Sequence, residues 1–141
     1  MRRIIFTALL YLIALVPAGA EVRILSSPGG EVGDFLKLFT LLRQSGERIV
    51  IDGPCYSACT LVLSMVPQDR ICVTRRAVLG FHSARLVDVY GRETPAPEAT
   101  RVVTASYPPG VRAWIMRHGG LRPRPIFLRG RELAALFPRC R

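Results

Sequence analysis

The sequence predicts an α/β domain built on a largely parallel sheet. Short β-branched or apolar runs alternate with segments of helical periodicity, and turns containing glycine or proline punctuate them. The chain has 141 residues, half of them hydrophobic, which suits one modest core and excludes a multidomain enzyme.

Residues 1–20 stand apart from that fold. Arg2 and Arg3 form a positive start, residues 4–16 are apolar except for Thr7, and Pro17-Ala18-Gly19-Ala20 ends in a small-x-small pattern ahead of Glu21. This is the layout of a secretory signal peptide. The alternative is an uncleaved anchor, for which the apolar stretch is shorter than the ~20 residues of a comfortable span. The folded domain is then residues 21–141, exported to the periplasm.

The elements follow in order. Residues 22–25 read as a strand, broken by Ser26-Ser27-Pro28-Gly29-Gly30. Over residues 32–42 the apolar positions Val32, Phe35, Leu36, Phe39 and Leu42 share one helical face, and Ser45-Gly46 stops the helix. Residues 48–51 are strand-like, Gly53-Pro54 turns the chain, and residues 57–66 form an apolar helix ended by Pro67. Residues 71–74 and 77–81 supply two further strands. Residues 85–109, with Pro95, Pro97, Pro108 and Pro109, read as a surface excursion or lid. A helix over 111–118 stops at Gly119-Gly120, and a last short helix covers 131–137.

Charge narrows the function only a little. The formal balance is +10, and apart from Lys37 every basic residue is an arginine. They are dispersed, without zinc-finger spacing or an aromatic ladder, so nucleic acid is not the expected partner. An anionic surface bound through the arginines is one remaining class. Cys55, Cys59, Cys72 and Cys140 form an even set, able to pair in three ways in an oxidising compartment, and neither His82 nor His118 completes a metal signature with them. No metal or cofactor is expected.

Two turns carry the chemistry. At Gly53-Pro54-Cys55-Tyr56-Ser57-Ala58-Cys59 a strand ends and a helix begins, which is the logic of a nucleophile elbow with Ser57 at its apex. A serine there is also an ordinary helix cap. At Ser27-Pro28-Gly29-Gly30, glycine lets the backbone approach a ligand and aim an N–H at a developing oxyanion. His82 follows an apolar strand and is a candidate general base, whereas His118 sits where a helix C-terminal cation belongs.

The order Ser-Pro-Gly-Gly, helix, strand, elbow serine, helix, strand, strand, histidine resembles the proteolytic subunit of the Clp protease, within the crotonase-like superfamily. The resemblance runs over residues 22–84 and more faintly over 127–136. It implies a spiral of β-β-α units with a mainly parallel sheet, shortened at its N-terminus. It also implies Ser57 as nucleophile, His82 as base, and the amides of Gly29 or Gly30 and of Ala58 as an oxyanion hole. Lys37 does not match the lysine of the related signal peptide peptidases. The family's triad aspartate precedes a Phe-Leu pair, where this chain has Pro125; Asp88 and Glu132 are the nearest acids by position, and a backbone carbonyl or water could hold the ring instead. The family's first strand and helix are absent. That leaves an edge to be covered by a partner copy or by residues 4–16, favouring a homo-oligomer or membrane proximity. The expected activity is acyl transfer to water from a peptide or ester; the alternative is a binding or assembly module without catalysis.

Overall fold

The computed structural model describes residues 20–141. The expected signal peptide lies outside them except for Ala20. In chain order the elements are β1 (Glu21–Ile24), α1 (Val32–Ser45), β2 (Arg48–Ile51), β3 (Pro54–Tyr56), a 3₁₀ segment (Ser57–Leu61), α2 (Val62–Met65), β4 (Ile71–Val73), β5 (Val78–Phe81), β6 (Arg85–Val87), β7 (Glu93–Pro95), α3 (Pro97–Ser106), α4 (Pro109–Arg117), β8 (Ile126–Arg129) and α5 (Gly130–Leu136).

The molecule is mixed α/β, and its strands are divided among small sheets. β1, β2 and β4 pair in parallel, in that order, as one three-stranded sheet. β3 and β5 pair in parallel in a second, where β8 adds antiparallel to β5. β6 and β7 form a separate antiparallel hairpin. The expectation of one largely parallel sheet is thereby corrected. Strands of three or four residues are too short to continue across the bend at Asp52-Gly53, so the chain crosses there from the first sheet to the second. Gly53 makes the crossing possible: a Cβ at this position would lie 1.9 Å from the carbonyl oxygen of Leu25.

The same step recurs. β1 leads to Ser27, which bridges Cys55 of the second sheet, and then to α1; β2 leads to β3 and then to the Ser57 segment; β4 leads to β5. The core between the elements contains Phe39, Ile51, Val62, Leu79, Trp114, Leu128 and Leu133, all fully buried. Of the expected apolar face of α1, Phe39 is buried and Phe35 and Leu42 pack partly against the core, while Val32 and Leu36 stay exposed. The helix ends as its sequence predicts, with Gly46 in the left-handed region.

Residues 85–109 are more ordered than an excursion: they hold the β6–β7 hairpin and the ten-residue α3. Pro97 is the first residue of α3, where a missing N–H costs no hydrogen bond, so it starts a helix rather than breaking one. β8 is the other addition, a four-residue strand in a stretch expected only to lead into the last helix.

The C-terminus closes one side of the first sheet. The Val73 N–H donates to the Pro138 carbonyl at 3.0 Å, the Cys140 N–H donates to the Val73 carbonyl at 3.1 Å, and a Cys72–Cys140 disulfide fixes the tail to β4. Beyond the end of β2, buried Asp52 accepts from Arg76 at 2.6 Å, Thr74 at 2.7 Å and Arg23 at 2.9 Å, so the first sheet ends on a satisfied acid.

Candidate active site

The site begins with two loops zipped together. The Ser27 N–H donates to the Pro54 carbonyl at 2.8 Å and the Tyr56 N–H donates to the Ser27 carbonyl at 2.9 Å. The loop after β1 is therefore pinned along β3, and its glycine lands on the residue that follows. At Gly29, with φ +87°, a Cβ would lie 2.5 Å from the Ser57 Cβ, 2.7 Å from the Tyr56 carbonyl oxygen and 3.1 Å from the Ala58 nitrogen. Only glycine leaves room for the backbone to lie against Ser57 this closely.

Ser57 has φ +54°, and it is the one non-glycine residue at positive φ among the described residues. Such a conformation costs about 1–3 kcal/mol and persists only where the surroundings over-determine it. The Cys55–Cys59 disulfide brackets the position. Thr60 Oγ1 donates to the Ser57 carbonyl at 2.6 Å, and Thr60 Oγ1 and the Tyr107 hydroxyl are also 2.6 Å apart. Thr60 has a single hydroxyl proton, already given to Ser57, so Tyr107 is the donor in that second bond. Burial pushes the Tyr107 phenol up to about 12, which keeps it protonated at neutral pH.

The expected helix from Ser57 is thus a 3₁₀ segment followed by one α-helical turn. A left-handed Ser57 inside a five-residue disulfide loop does not lead into a regular α-helix, and the tighter winding accommodates it. The cap residue is Tyr56, with no side-chain cap bond, so helix capping does not account for the serine.

His82 leaves the end of β5, whose Leu79 and Phe81 are fully buried. Its Nδ1 lies 2.7 Å from the Ser83 carbonyl oxygen. A carbonyl can only accept, so Nδ1 carries the proton and the neutral ring keeps its free lone pair on Nε2. Ser57 and His82 line the same two adjoining hollows. One is a cavity of about 40 Å³ among Val32, Thr60, Leu61, Val103 and Tyr107; the other, of about 360 Å³, extends past Gly29 and Gly30 toward Arg85 and Glu93.

The three expected oxyanion-hole amides are not equivalent. The Gly29 N–H donates to Ser27 Oγ at 3.3 Å, so it is engaged, if weakly. Gly30 lines the larger hollow, and Ala58 stands in the first turn of the 3₁₀ segment, where N–H groups have no partner within the helix.

Neither candidate acid reaches His82. Asp88 sits in the β6–β7 turn, where the backbone N–H and guanidinium of Arg92 and the N–H of Tyr90 hold its carboxyl below the usual range. Glu132 accepts from Trp114 Nε1 at 3.0 Å and lies 3.9 Å from His118. His118 caps the C-terminal end of α4, stacked on Trp114, as its sequence position predicts. Pro125 is one residue beyond the Phe81–Ile126 pair that ends the β5–β8 ladder, so the proline stands across from His82. Lys37 is exposed and paired with Asp34, away from the elbow.

Thr60, Ser83, Val103 and Tyr107 complete the site without having been singled out in the sequence. Tyr107 was hidden by its place in the proline-rich stretch, although a tyrosine directly before Pro108-Pro109 marks a fixed helix end. All four cysteines are bonded, which is consistent with an oxidising compartment. Among the described residues no helix is long and apolar enough to cross a membrane. The chain matches no known family model, and no curated protein matches it at a significant level.

Proposed function

We propose that the chain is an exported serine hydrolase, acting on a peptide or ester through a Ser57–His82 dyad. The observation that carries this reading is the left-handed Ser57, held in a costly conformation on the wall of a cavity that it shares with His82. A serine with no catalytic or binding task gains nothing from that backbone, whereas a nucleophile elbow needs it to present the hydroxyl.

In this mechanism Nε2 of His82 takes the Ser57 proton as Oγ forms a bond to the carbonyl carbon. The resulting oxyanion is met by the N–H groups of Gly30 and Ala58. Collapse breaks the bond to the leaving amine or alcohol, which takes the proton from His82 and leaves an acyl group on Ser57. Water then repeats the sequence: His82 removes its proton, the acid departs, and Ser57 recovers its hydrogen. The Ser83 carbonyl takes the place of the missing acid, fixing the tautomer and the orientation of the ring.

The step from one sheet to the other, followed by a helical segment after the first two crossings and by the β6–β7 hairpin after the third, supports in part membership of the Clp-like, crotonase-type architecture with its β-β-α spiral. The outer edge of β1, unpaired among the described residues, supports assembly into a homo-oligomer.

A fluorophosphonate probe tests the reaction. The chain with its disulfides intact is expected to be labelled, Ser57→Ala not at all, and His82→Ala about 10²–10⁴-fold more slowly. Absence of labelling in the unaltered chain, or equal labelling of Ser57→Ala, would overturn the hydrolase and leave the binding module.

A further inference from the structure

We infer that the Ser57 site is selective for small apolar acyl groups, acetyl or propionyl in size, an inference that rests on the hydrolase reading above. The two hollows beside Ser57 are very unequal. Both reach Ser57 and His82, but the smaller, about 40 Å³, also lies against Ala58 and runs under the elbow segment, and it is the one assigned to the acyl group. A cavity of about 150 Å³ takes up one benzene, so one this small matches a methyl or ethyl group and is too small for a leucyl or benzyl side chain. Its walls come from three separate elements: Val32 opens α1, Leu61 belongs to the elbow segment, and Val103 lies on α3. Tyr107, just past α3, forms part of the same lining.

The lining also sets polarity. Of its side-chain hydroxyls besides the nucleophile, those of Tyr107 and Thr60 are already committed, Tyr107 to Thr60 and Thr60 to the Ser57 carbonyl, and that of Ser83 is the third. Neither of the first two has a proton left for a substrate, and the other walls include Val32, Leu61, Ala84 and Val103, so an apolar acyl tail is favoured. The same bonds keep the cavity small: Tyr107 is held against the elbow and cannot swing out without breaking the chain that fixes Ser57. The larger hollow of about 360 Å³, toward Arg85 and Glu93, is left for the leaving group. Selectivity is therefore strict on the acyl side and loose on the other.

The experiment uses p-nitrophenyl acetate, propionate, butyrate and octanoate on the full chain, with Ser57→Ala as the background and fluorophosphonate labelling run in parallel. kcat/KM is expected to be highest for acetate or propionate and at least about 10-fold lower for octanoate, the scale of discrimination that one or a few methylenes give in an apolar pocket. Val103→Ala, which enlarges the cavity from the α3 side, should raise butyrate relative to acetate by a similar factor. If octanoate is turned over as fast as acetate while Ser57 still labels, the size limit is wrong and the hydrolase stands. If Val103→Ala leaves the chain-length profile unchanged, the selectivity does not come from this cavity. If the fluorophosphonate fails to label Ser57, the hydrolase reading falls and takes the inference with it.

Discussion

Alanine at Gly29 puts the close approach between the two loops to a quantitative test. The position has φ +87°, which costs an L-residue roughly 1–2 kcal/mol. The added methyl carbon would also lie 2.5 Å from the Ser57 Cβ and 2.7 Å from the Tyr56 carbonyl oxygen, neither of which is the free end of a flexible side chain. Forcing a methyl into such a contact costs about 1–3 kcal/mol, so the total is about 2–5 kcal/mol. Gly46 provides the control: its φ is +77°, and a Cβ there would meet nothing within 4 Å. Gly46→Ala should therefore cost only the backbone part. Urea denaturation with the disulfides intact measures both losses, and their difference isolates the contact with Ser57. Fluorophosphonate labelling of the folded fraction should fall sharply in Gly29→Ala and hold in Gly46→Ala. Equal destabilisation of the two variants to within about 0.5 kcal/mol would refute the packing of Gly29 against the elbow.

The two disulfides should differ in the stability they confer. Cys72–Cys140 closes a loop with a separation of 68 residues, for which chain entropy gives about 4 kcal/mol, while Cys55–Cys59 spans 4 and gives about 2 kcal/mol. Paired serine substitutions followed by denaturation should show that order, and the reverse order would remove the entropic account. Asp52 predicts an acid limb. Hydrogen bonds from Arg76, then Thr74, then Arg23 hold its carboxyl far below the ordinary range. Its contribution is fully present above about pH 4, where the unfolded side chain is also ionised, and is lost as pH falls, because the unfolded chain takes up the proton first. Between pH 5 and 2.5 the urea midpoint of the unaltered chain should fall faster than that of Asp52→Asn; parallel profiles would show that the native pairing does not shift Asp52.

What the sequence conveyed depends on how local each signal is. α1 carries a helical stripe closed by Gly46, and both are visible in a short window. The strand at Ile126-Phe127-Leu128-Arg129 has only four residues, and its pairing with Val78-Leu79-Gly80-Phe81 is fixed by long-range register that no window contains. The division into two sheets is hidden for the same reason, since Cys55 looks alike whether its strand extends β2 or crosses to another sheet. At the site, the order of Gly29, Ser57 and His82 was legible because each stands at a strand end. The Ser83 carbonyl that holds His82 was not, since a backbone acceptor has no side-chain signature. The Tyr107–Thr60 bond joins positions 47 residues apart and likewise leaves no local trace.

The first sheet has two unlike borders. Along β4 the tail from Pro138 to Cys140 is hydrogen-bonded and covalently tied; along β1 no described residue pairs with the outer edge. A sheet open at both sides can add copies without limit, and fibres grow in that way. Here the tail occupies the β4 border, so among the described residues only the β1 border of this sheet is open to a further strand. The disulfide at that border thus acts as a terminator: it holds the tail on β4 and confines strand addition on the first sheet to the β1 side.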